Sequence, residues 1–245
     1  MSLTEVAVEE EISDEEEDDE ELPEITDEME SVIKRAQGSR GETLIDKFQI
    51  AITRKDIETL RGLNWLNDEI INFYMNLICE RSKTNDNWPT CYAFNTFFYP
   101  KIVSTGQSSV KRWTRKVDVF SFDLLIIPVH LGMHWCLAMV DFRVPAVYYY
   151  DSMGSDNNRA LVGIKKYLED EHKDKKKAEY STANFKAVNV KDIPQQMNGS
   201  DCGMFTCKFA EYLSRNANIS FTQEDMPYFR RRMIYEIVKA KLMHP

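Results

Sequence analysis

Cys202 is the residue whose surroundings most favour chemistry. It lies near the end of the segment P-Q-Q-M-N-G-S-D-C-G, residues 194–203, and apolar residues recur at helical spacing after it. This pattern predicts a buried helix over residues 202–213, with the thiol in its first turn. Unpaired N–H groups and the dipole at a helix N-terminus favour the thiolate, which is the nucleophilic form of cysteine. Cys202 is therefore a candidate nucleophile; the alternative is a small buried residue that opens a core helix.

The residues around Cys202 suggest how this segment is shaped. The pair Asn198-Gly199 favours a tight turn with positive φ. Ser200 and Asp201 are both suitable N-cap residues for the helix that follows. Gly203 has no side chain, so we expect it to leave room for a substrate backbone to approach the sulfur.

A cysteine nucleophile needs a nearby base that a third group orients. The chain has four histidines, His130, His134, His172 and His244. His172 lies in a charged, solvated stretch and His244 beside the C-terminal residue, which makes both poor candidates. His130 and His134 lie between two strand-like runs, and either one suits a base or an ordinary strand end. His134 is favoured because a strand follows it directly.

Asp151 is the candidate for the orienting group. The runs 135–142 and 147–150 are strand-like and joined by a short connection, so we expect antiparallel neighbours. The start of the first strand then lies near the end of the second, with an offset of up to about four residues that depends on turn and bulge. This permits a hydrogen bond between His134 and Asp151. Alternatively, Asp151 caps the turn that follows it.

The cysteines give no indication of a metal centre. Five cysteines without an export signal are typical of reduced thiols in the cytosol or nucleus. Neither Cys202-x4-Cys207 nor His134-x-Cys136 has the spacing of a four-ligand zinc site. We predict no metal and no cofactor.

Charge divides the chain into two parts. Residues 1–30 contain sixteen Asp and Glu and no Lys or Arg, which leaves residues 31–245 with a formal charge of +7. We expect residues 1–21 to be an acidic disordered tail and residues 22–245 to form one domain. A mildly basic domain suits an acidic protein partner. We expect no nucleic-acid partner, because no binding motif is present, and no membrane insertion, because no run of eighteen apolar residues occurs.

Three blocks carry a family resemblance: H-W at 134–135, Y-Y-D-S at 149–152 and the Cys202 segment at 194–203. They resemble the catalytic blocks of the SUMO-specific (sentrin-specific, Ulp-type) cysteine proteases, in the same order of His, Asp and Cys. Further similar blocks are P-E-I-T-D-E-M-E at 23–30, I-T-R-K-D-I at 52–57, L-N-W-L-N-D-E-I-I-N-F-Y-M-N at 63–76, A-F-N-T-F-F at 93–98, V-K-R-W-T at 110–114 and M-P-Y-F-R-R-R-M at 226–233. The likeness extends from about residue 22 to residue 242.

The resemblance implies a fold and a function. The fold is α+β of the papain-like cysteine protease type, with a mixed central sheet flanked by helices and the nucleophile at a helix N-terminus. The activity is cleavage after the C-terminal Gly-Gly of SUMO, which releases SUMO from target lysines and matures SUMO precursors. The partners are SUMO and SUMO-conjugated proteins, the expected state is a monomer, and the expected location is the nucleus, with the cytoplasm as the alternative. The rival functions are a protease for another ubiquitin-like modifier and a non-catalytic module that binds such a protein.

The resemblance also assigns catalytic roles. Cys202 is the nucleophile, His134 the acid–base and Asp151 the residue that orients it. Gln196 matches the family's oxyanion-hole glutamine. The local residues do not discriminate between Gln195 and Gln196; only the resemblance does.

Six further residues are expected to contact the modifier. Trp65 and Trp135 flank a channel too narrow for side chains beyond Gly-Gly, while Asp68 and Arg112 contact the modifier's globular body. The complete set of expected contacts is Trp65, Asp68, Phe97, Arg112, His130 and Trp135. Core packing for Trp65 and Phe97, a helix N-terminal role for Asp68 and a strand-end role for His130 are the alternatives.

The remaining elements follow from periodicity and capping signals. Residues 92–99 are expected to be extended, and the arginines at 230–232 to lie on a mostly solvated helix face. The expected helices cover 54–60, 67–81, 157–171 and 223–242, and the expected strands cover 123–129, 135–142, 147–150 and 185–190.

Overall fold

The computed structural model describes residues 21–38 and 43–243. The acidic tail, apart from Glu21, lies outside the described residues and stays a prediction. The helices are α1 Asp27–Ala36, α2 Arg54–Glu58, α3 Asp68–Arg81, α4 Phe98–Thr105, α5 Asn158–Lys176, α6 Cys202–Leu213 and α7 Met226–Lys239. The strands are β1 Thr43–Lys47, β2 Ile50–Thr53, β3 Cys91–Ala93, β4 Leu124–His130, β5 Trp135–Asp141, β6 Ala146–Tyr150 and β7 Lys186–Asn189. None of the helices in the described part of the chain is long and apolar enough to cross a bilayer.

The centre of the fold is a five-stranded mixed sheet in the order β3-β4-β5-β6-β7. The three middle strands, β4, β5 and β6, pair antiparallel with one another, and each edge strand runs parallel to the strand beside it. β1 and β2 form a separate two-stranded hairpin. A mixed sheet was expected, and the three middle strands fall within about one residue of their predicted bounds.

Alternating side chains on the middle strands build two separate apolar layers. Leu124 and Ile126 belong to the layer beneath α3, α6 and α7, whereas Leu125 and Ile127 belong to the layer beneath α4 and α5. A strand buried on both faces reads as a continuous apolar run, as β4 does. Helices therefore cover both faces of the sheet, and α6 is fixed directly against β5.

Helix α3 begins where its capping residues place it. Asn67 is the N-cap, and its side-chain oxygen accepts a hydrogen bond from the N–H of Ile70 at 3.1 Å. Asp68 and Glu69 add negative charge at the positive end of the helix dipole. Asp68 therefore has the helix N-terminal position that was its alternative role. Its side chain remains partly exposed.

Three expectations about the fold are wrong. Helix α5 continues to Lys176, five residues beyond its expected end at residue 171. The extended run ends at Ala93, and Phe98 already begins α4, where its ring stacks on Phe94 with centroids 3.7 Å apart. In α7, Arg230 and Arg232 are buried, at 4% and 1% exposure, and only Arg231 faces solvent. Helix geometry turns the first and third arginines away from the middle one, and carboxylates from buried positions receive them.

Candidate active site

Cys202 is the first residue of α6, as predicted from the helical spacing. The helix is buried on all sides from this residue to Tyr212, and its two buried charged residues, Lys208 and Glu211, pair with each other at 3.0 Å. Cys202 itself is 3% exposed, and its thiol lies within hydrogen-bonding reach of the His134 imidazole. The His134 side chain keeps 17% exposure, so the imidazole is the more accessible partner of this pair.

The segment before Cys202 is shaped by Asn198 rather than by the expected caps. The Asn198 side-chain oxygen accepts hydrogen bonds from the N–H groups of Ser200 at 2.9 Å and Asp201 at 3.0 Å. Asp201 occupies the N-cap position but makes no side-chain cap bond. The expected positive φ at Asn198-Gly199 is also wrong, since neither residue is among the described residues with positive φ. The Asn198 side chain, and not a glycine with positive φ, produces the bend before α6.

Arg230 binds the segment that precedes Cys202, a role that the sequence did not indicate. Its Nε and Nη2 atoms donate to Asp201 Oδ1 at 2.9 and 2.7 Å. The same guanidinium donates to the carbonyl oxygens of Ser200 at 3.3 Å and of Asn64 at 3.0 Å. Asn64 directly precedes Trp65, so Arg230 joins the nucleophile segment to the segment that carries the expected channel residue. Three consecutive arginines give no signal of such a role, because the partner carboxylate lies 29 residues away in sequence.

His134 and Asp151 lie together at one edge of the sheet, as expected. The imidazole Nε2 is 2.7 Å from Asp151 Oδ1. The last pair in the β5–β6 ladder is Leu137 with Tyr150. If the ladder continued by one residue, Asp151 would lie opposite Cys136, and His134 is two residues before Cys136. Asp151 Oδ1 also accepts from the N–H of Met153 at 2.8 Å, so the two roles left open for this aspartate, orienting the imidazole and capping the turn, coexist.

The hydrogen bond changes the protonation of both partners. The contact with Asp151, followed by contacts with the thiols of Cys136 and Cys202, raises the pKa of His134 to about 12 against the opposing effect of burial. Burial alone raises the pKa of Asp151, but hydrogen bonds from His134 and from the N–H of Met153 outweigh it and leave the pKa below its ordinary value. A charged imidazolium beside an ionised carboxylate is therefore the favoured state. The Asp151 bond occupies Nε2, which leaves Nδ1 for proton exchange with a thiol.

A third donor, Cys136, lies beside this pair. Donor atoms of His134, Cys136 and Asp151 all lie within 4.8 Å of one another, and this group could hold a metal ion. Asp151 joins this group from the end of the adjacent strand, so the spacing of His134 and Cys136 in the sequence does not indicate it. Burial raises the pKa of the Cys136 thiol and disfavours the thiolate that a metal would need. The absence of a metal stays a prediction.

The two candidate oxyanion glutamines differ sharply in their surroundings. Gln195 is exposed, and its amide lies close to Gly154. Gln196 is 9% exposed, and its amide Nε2 donates to the carbonyl oxygen of Asn198 at 2.5 Å. Burial therefore separates two residues that the sequence alone could not. The oxyanion role of Gln196 stays a prediction.

The two tryptophans of the expected channel are placed differently. Trp65 is 45% exposed, whereas Trp135 is 5% exposed and its indole N–H donates to the carbonyl oxygen of Leu66 at 3.2 Å. His130 stacks on Trp135 with ring centroids 4.1 Å apart, so its strand-end role includes support of that indole. The bond to Leu66 ties β5 to the segment that carries Trp65.

Gly203 has a different use from the one expected. A Cβ atom at this position would lie 2.9 Å from Leu66 Cβ and 3.5 Å from the indole of Trp135. The space beside Gly203 is therefore filled by the protein itself and not kept open for a substrate. The missing side chain allows the start of α6 to approach Leu66 closely.

The remaining expected contacts lie on the surface. Phe97 is 55% exposed at the start of α4, which rules out core packing as its role. Its segment is held by a hydrogen bond from the N–H of Thr96 to the side-chain oxygen of Asn72 at 2.9 Å. Arg112 is exposed as well. The described contacts do not connect Phe97 or Arg112 to the Cys202 site.

Comparisons with known proteins agree with this geometry. The profile of the Ulp1 protease family, C-terminal catalytic domain, matches residues 64–242. A sentrin-specific protease of Caenorhabditis elegans is 50% identical over 221 residues, which cover 89% of this chain and 32% of that protein. Sentrin-specific protease 2 of Homo sapiens is 45% identical over 226 residues, which cover 91% of this chain and 38% of that protein. The chain thus spans about a third of the length of the curated relatives that it matches.

A solved structure gives the corresponding result for the fold. The X-ray structure of the C-terminal Ulp1 protease domain, in complex with Smt3, the yeast ortholog of SUMO, superposes with a TM-score of 0.79 at 30% identity. The match covers 89% of this chain and 96% of that one, and the predicted fold class is confirmed. This chain belongs to the Ulp1 protease family and contains the family's C-terminal catalytic domain.

Proposed function

We propose that this chain is a SUMO-specific cysteine protease that cleaves after the modifier's C-terminal Gly-Gly. The observation that carries the proposal is the 2.7 Å bond between His134 and Asp151 beside a cysteine that begins a helix. A nucleophile, a base and an orienting carboxylate are the three parts that covalent acyl transfer requires. The sentrin-specific names of the relatives and the Smt3 complex support SUMO as the modifier.

The reaction follows from the arrangement of the three side chains. Cys202 Sγ attacks the carbonyl carbon of the modifier's last glycine, and the thiol proton resides on His134. The imidazolium then protonates the departing amine as the C–N bond breaks, which leaves a thioester on Cys202. Water, activated by the now neutral imidazole, hydrolyses the thioester and restores the thiol. Asp151 keeps the imidazole in one orientation and stabilises its charged form throughout.

The developing negative charge on the glycine oxygen needs hydrogen-bond donors. The Cys202 backbone N–H is unpaired within α6 because it lies in the first turn. The buried amide of Gln196 supplies the second donor. Donors fixed before the reaction stabilise the transition state more than donors that must reorganise, and one is typically worth a factor of about 10² to 10³ in kcat.

Specificity arises at two places under this proposal. Trp65 and Trp135 bound the channel for the modifier's tail, where steric exclusion admits glycine and rejects larger residues. Asp68, Phe97 and Arg112 are partly or fully exposed and would each meet the modifier's globular body. A peptide bond in a precursor and an isopeptide bond to a lysine both fit such a site, so maturation and deconjugation are both proposed activities.

Nuclear residence is part of the proposal and is tested by imaging the tagged chain in cells.

A set of modifier probes with C-terminal electrophiles tests the assignment. SUMO, ubiquitin and a third ubiquitin-like modifier, each with the same vinyl ester at its C-terminus, are incubated with the protein, and adducts are located by mass spectrometry. The proposal predicts labelling by the SUMO probe at Cys202 and none of Cys202→Ser. Labelling by a different modifier alone would indicate a protease for that modifier. Binding of a modifier without labelling by any probe would indicate a non-catalytic module.

A further inference from the structure

Ser152 contacts Gln196 at two points. The Ser152 hydroxyl donates to Gln196 Oε1 at 2.6 Å, and the backbone N–H of Gln196 donates to the Ser152 carbonyl oxygen at 2.9 Å. Both residues are buried, at 2% and 9% exposure. A buried hydroxyl bonded to one particular amide restricts the rotation of that amide, because breaking the bond leaves both polar groups unsatisfied.

The partners of Gln196 determine which way its amide faces. A backbone carbonyl can only accept a hydrogen bond, so the group facing the Asn198 carbonyl oxygen at 2.5 Å must be the Gln196 nitrogen. Gln196 Oε1 therefore faces Ser152, and the Ser152 hydroxyl must be the donor. The amide is held between a donor on one side and an acceptor on the other, which permits a single orientation.

This orientation leaves one N–H of the Gln196 amide for a substrate. A primary amide carries two N–H groups, and within the described residues only the one bonded to Asn198 has an acceptor. A hydrogen bond to the amide oxygen draws electron density away from the nitrogen and strengthens the remaining N–H as a donor. The Ser152 hydroxyl thus both orients and polarises the group to which the proposed function assigns the oxyanion.

Ser152 also links the two halves of the site. It directly follows Asp151, whose carboxylate holds His134 at the edge of the sheet. The backbone bond from Gln196 to Ser152 fixes the loop of the oxyanion donor to the strand end that positions the base. The backbone at Asp151 and Ser152 thereby fixes the position of Gln196 relative to His134.

We propose that Ser152 is the positioning residue of the oxyanion hole, and this rests on the proposed function. Ser152 touches neither the substrate nor the reacting atoms; it acts through the Gln196 amide. The alternative is a buried serine that supports the loop without any effect on the transition state. In the positioning role, the loss of kcat on removing the Ser152 hydroxyl depends on Gln196. In the purely structural role, it does not.

The test is a double-mutant cycle of Ser152→Ala and Gln196→Ala, with steady-state cleavage of a SUMO C-terminal amide substrate as one readout. Alkylation of Cys202 by iodoacetamide is the second readout, because this reaction forms no oxyanion. Ser152→Thr is the conservative variant that retains the hydroxyl. Ser104→Ala removes an exposed hydroxyl at the end of α4 and is the control substitution. Thermal unfolding of each variant checks the fold.

We expect Ser152→Ala to lower kcat about tenfold, since one buried hydrogen bond is lost, with KM nearly unchanged. Gln196→Ala should lower kcat about 10²-fold or more, and the double variant should be no slower than Gln196→Ala alone. The alkylation rate should be the same in all variants, and Ser152→Thr should recover part of kcat. Additive losses in the double variant, or equal losses in cleavage and alkylation, would overturn the role of Ser152. Failure of the unmodified protein to cleave the SUMO substrate would instead overturn the proposed function.

Discussion

The imidazole of His134 and the carboxylate of Asp151 meet at the open end of the β5–β6 pair, with Nε2 and Oδ1 2.7 Å apart. Strand register produces this contact. Asp151 falls opposite Cys136, and His134 precedes Cys136 by two residues on the same face. The base and its orienting group are therefore positioned by the backbone pairing of β5 with β6, and α6 brings Cys202 to them.

Asp151→Asn should preserve the fold and abolish most of the activity. Asparagine keeps the acceptor for the Met153 N–H but carries no charge to stabilise the imidazolium. Replacement of a triad aspartate by asparagine costs up to about 10⁴-fold in kcat, and we expect a loss of about 10²- to 10⁴-fold here. Steady-state cleavage of the SUMO substrate measures the loss, and the unfolding midpoint monitors the fold. Activity within about twofold of the unsubstituted protein would show that Asp151 only caps its turn.

His134 should remain protonated across the physiological range. Its pKa is raised to about 12, and the largest cause is the bond to Asp151. The stabilisation from this raised pKa is fully present below the unfolded value near 6.5 and is lost as pH rises towards the folded value. For Asp151 the pKa is lowered, so its contribution is present above the ordinary value near 3.8 and is lost as pH falls.

NMR of protein with labelled histidine checks this prediction. The His134 signals, assigned by their absence from His134→Gln, should retain imidazolium shifts from about pH 5 to 9. Asp151→Asn should lower the pKa of His134 more than Cys202→Ser does, because the Asp151 bond is the larger contribution. A titration midpoint near 6.5 in the unsubstituted protein would contradict the imidazolium assignment.

Arg230 and Arg231 offer a matched comparison on one helix. Arg230 is buried against Asp201, whereas the Arg231 side chain is 50% exposed and pairs with Glu30 at the surface. Arg230→Gln should lower the free energy of unfolding by about 3 kcal/mol or more, because it leaves a buried carboxylate without its counter-ion. Arg231→Gln should change it by at most about 1 kcal/mol. Denaturant unfolding measures both free energies. Equal losses from the two substitutions would show that the ion pair of Arg230 with Asp201 does not stabilise the segment before Cys202.

Gly203 and Gly199 provide a second matched pair, four residues apart. A Cβ at Gly203 would lie 2.9 Å from Leu66 Cβ, whereas a Cβ at Gly199 would meet nothing within 4 Å. Gly203→Ala should cost about 1–3 kcal/mol of stability through overpacking and slow turnover by shifting the start of α6. Gly199→Ala should change stability by less than about 0.5 kcal/mol. Equal tolerance of both substitutions would show that the approach to Leu66 is not tight.

Local periodicity and hairpin topology account for what the sequence predicted correctly. The start of α6 at Cys202 follows from apolar spacing, and the meeting of His134 with Asp151 follows from a short connection between two strands. Both depend on residues close together in the chain or on a simple rule of strand pairing. His134, which the sequence favours over His130, is the histidine that contacts Asp151.

Contacts between distant segments account for what the sequence did not predict. The partner of Arg230 is Asp201, and the neighbour of Gly203 is Leu66, 137 positions earlier in the numbering of the chain. Nothing in the spacing of either residue indicates its partner. The sequence does not indicate the turn of the β1–β2 hairpin for another reason. Phe48 and Gln49 both adopt positive φ there, whereas such turns usually contain glycine or asparagine.

Cys202→Ser provides the most direct test of the central claim, that this thiol performs the chemistry at a site built to hold SUMO. Cleavage of a SUMO conjugate and the Kd for SUMO are measured on the same preparation of the variant. We predict that cleavage falls to the uncatalysed background while the Kd stays within about threefold of that of the unsubstituted protein, since serine retains the shape of the site. Cleavage at the unsubstituted rate by Cys202→Ser would contradict the account.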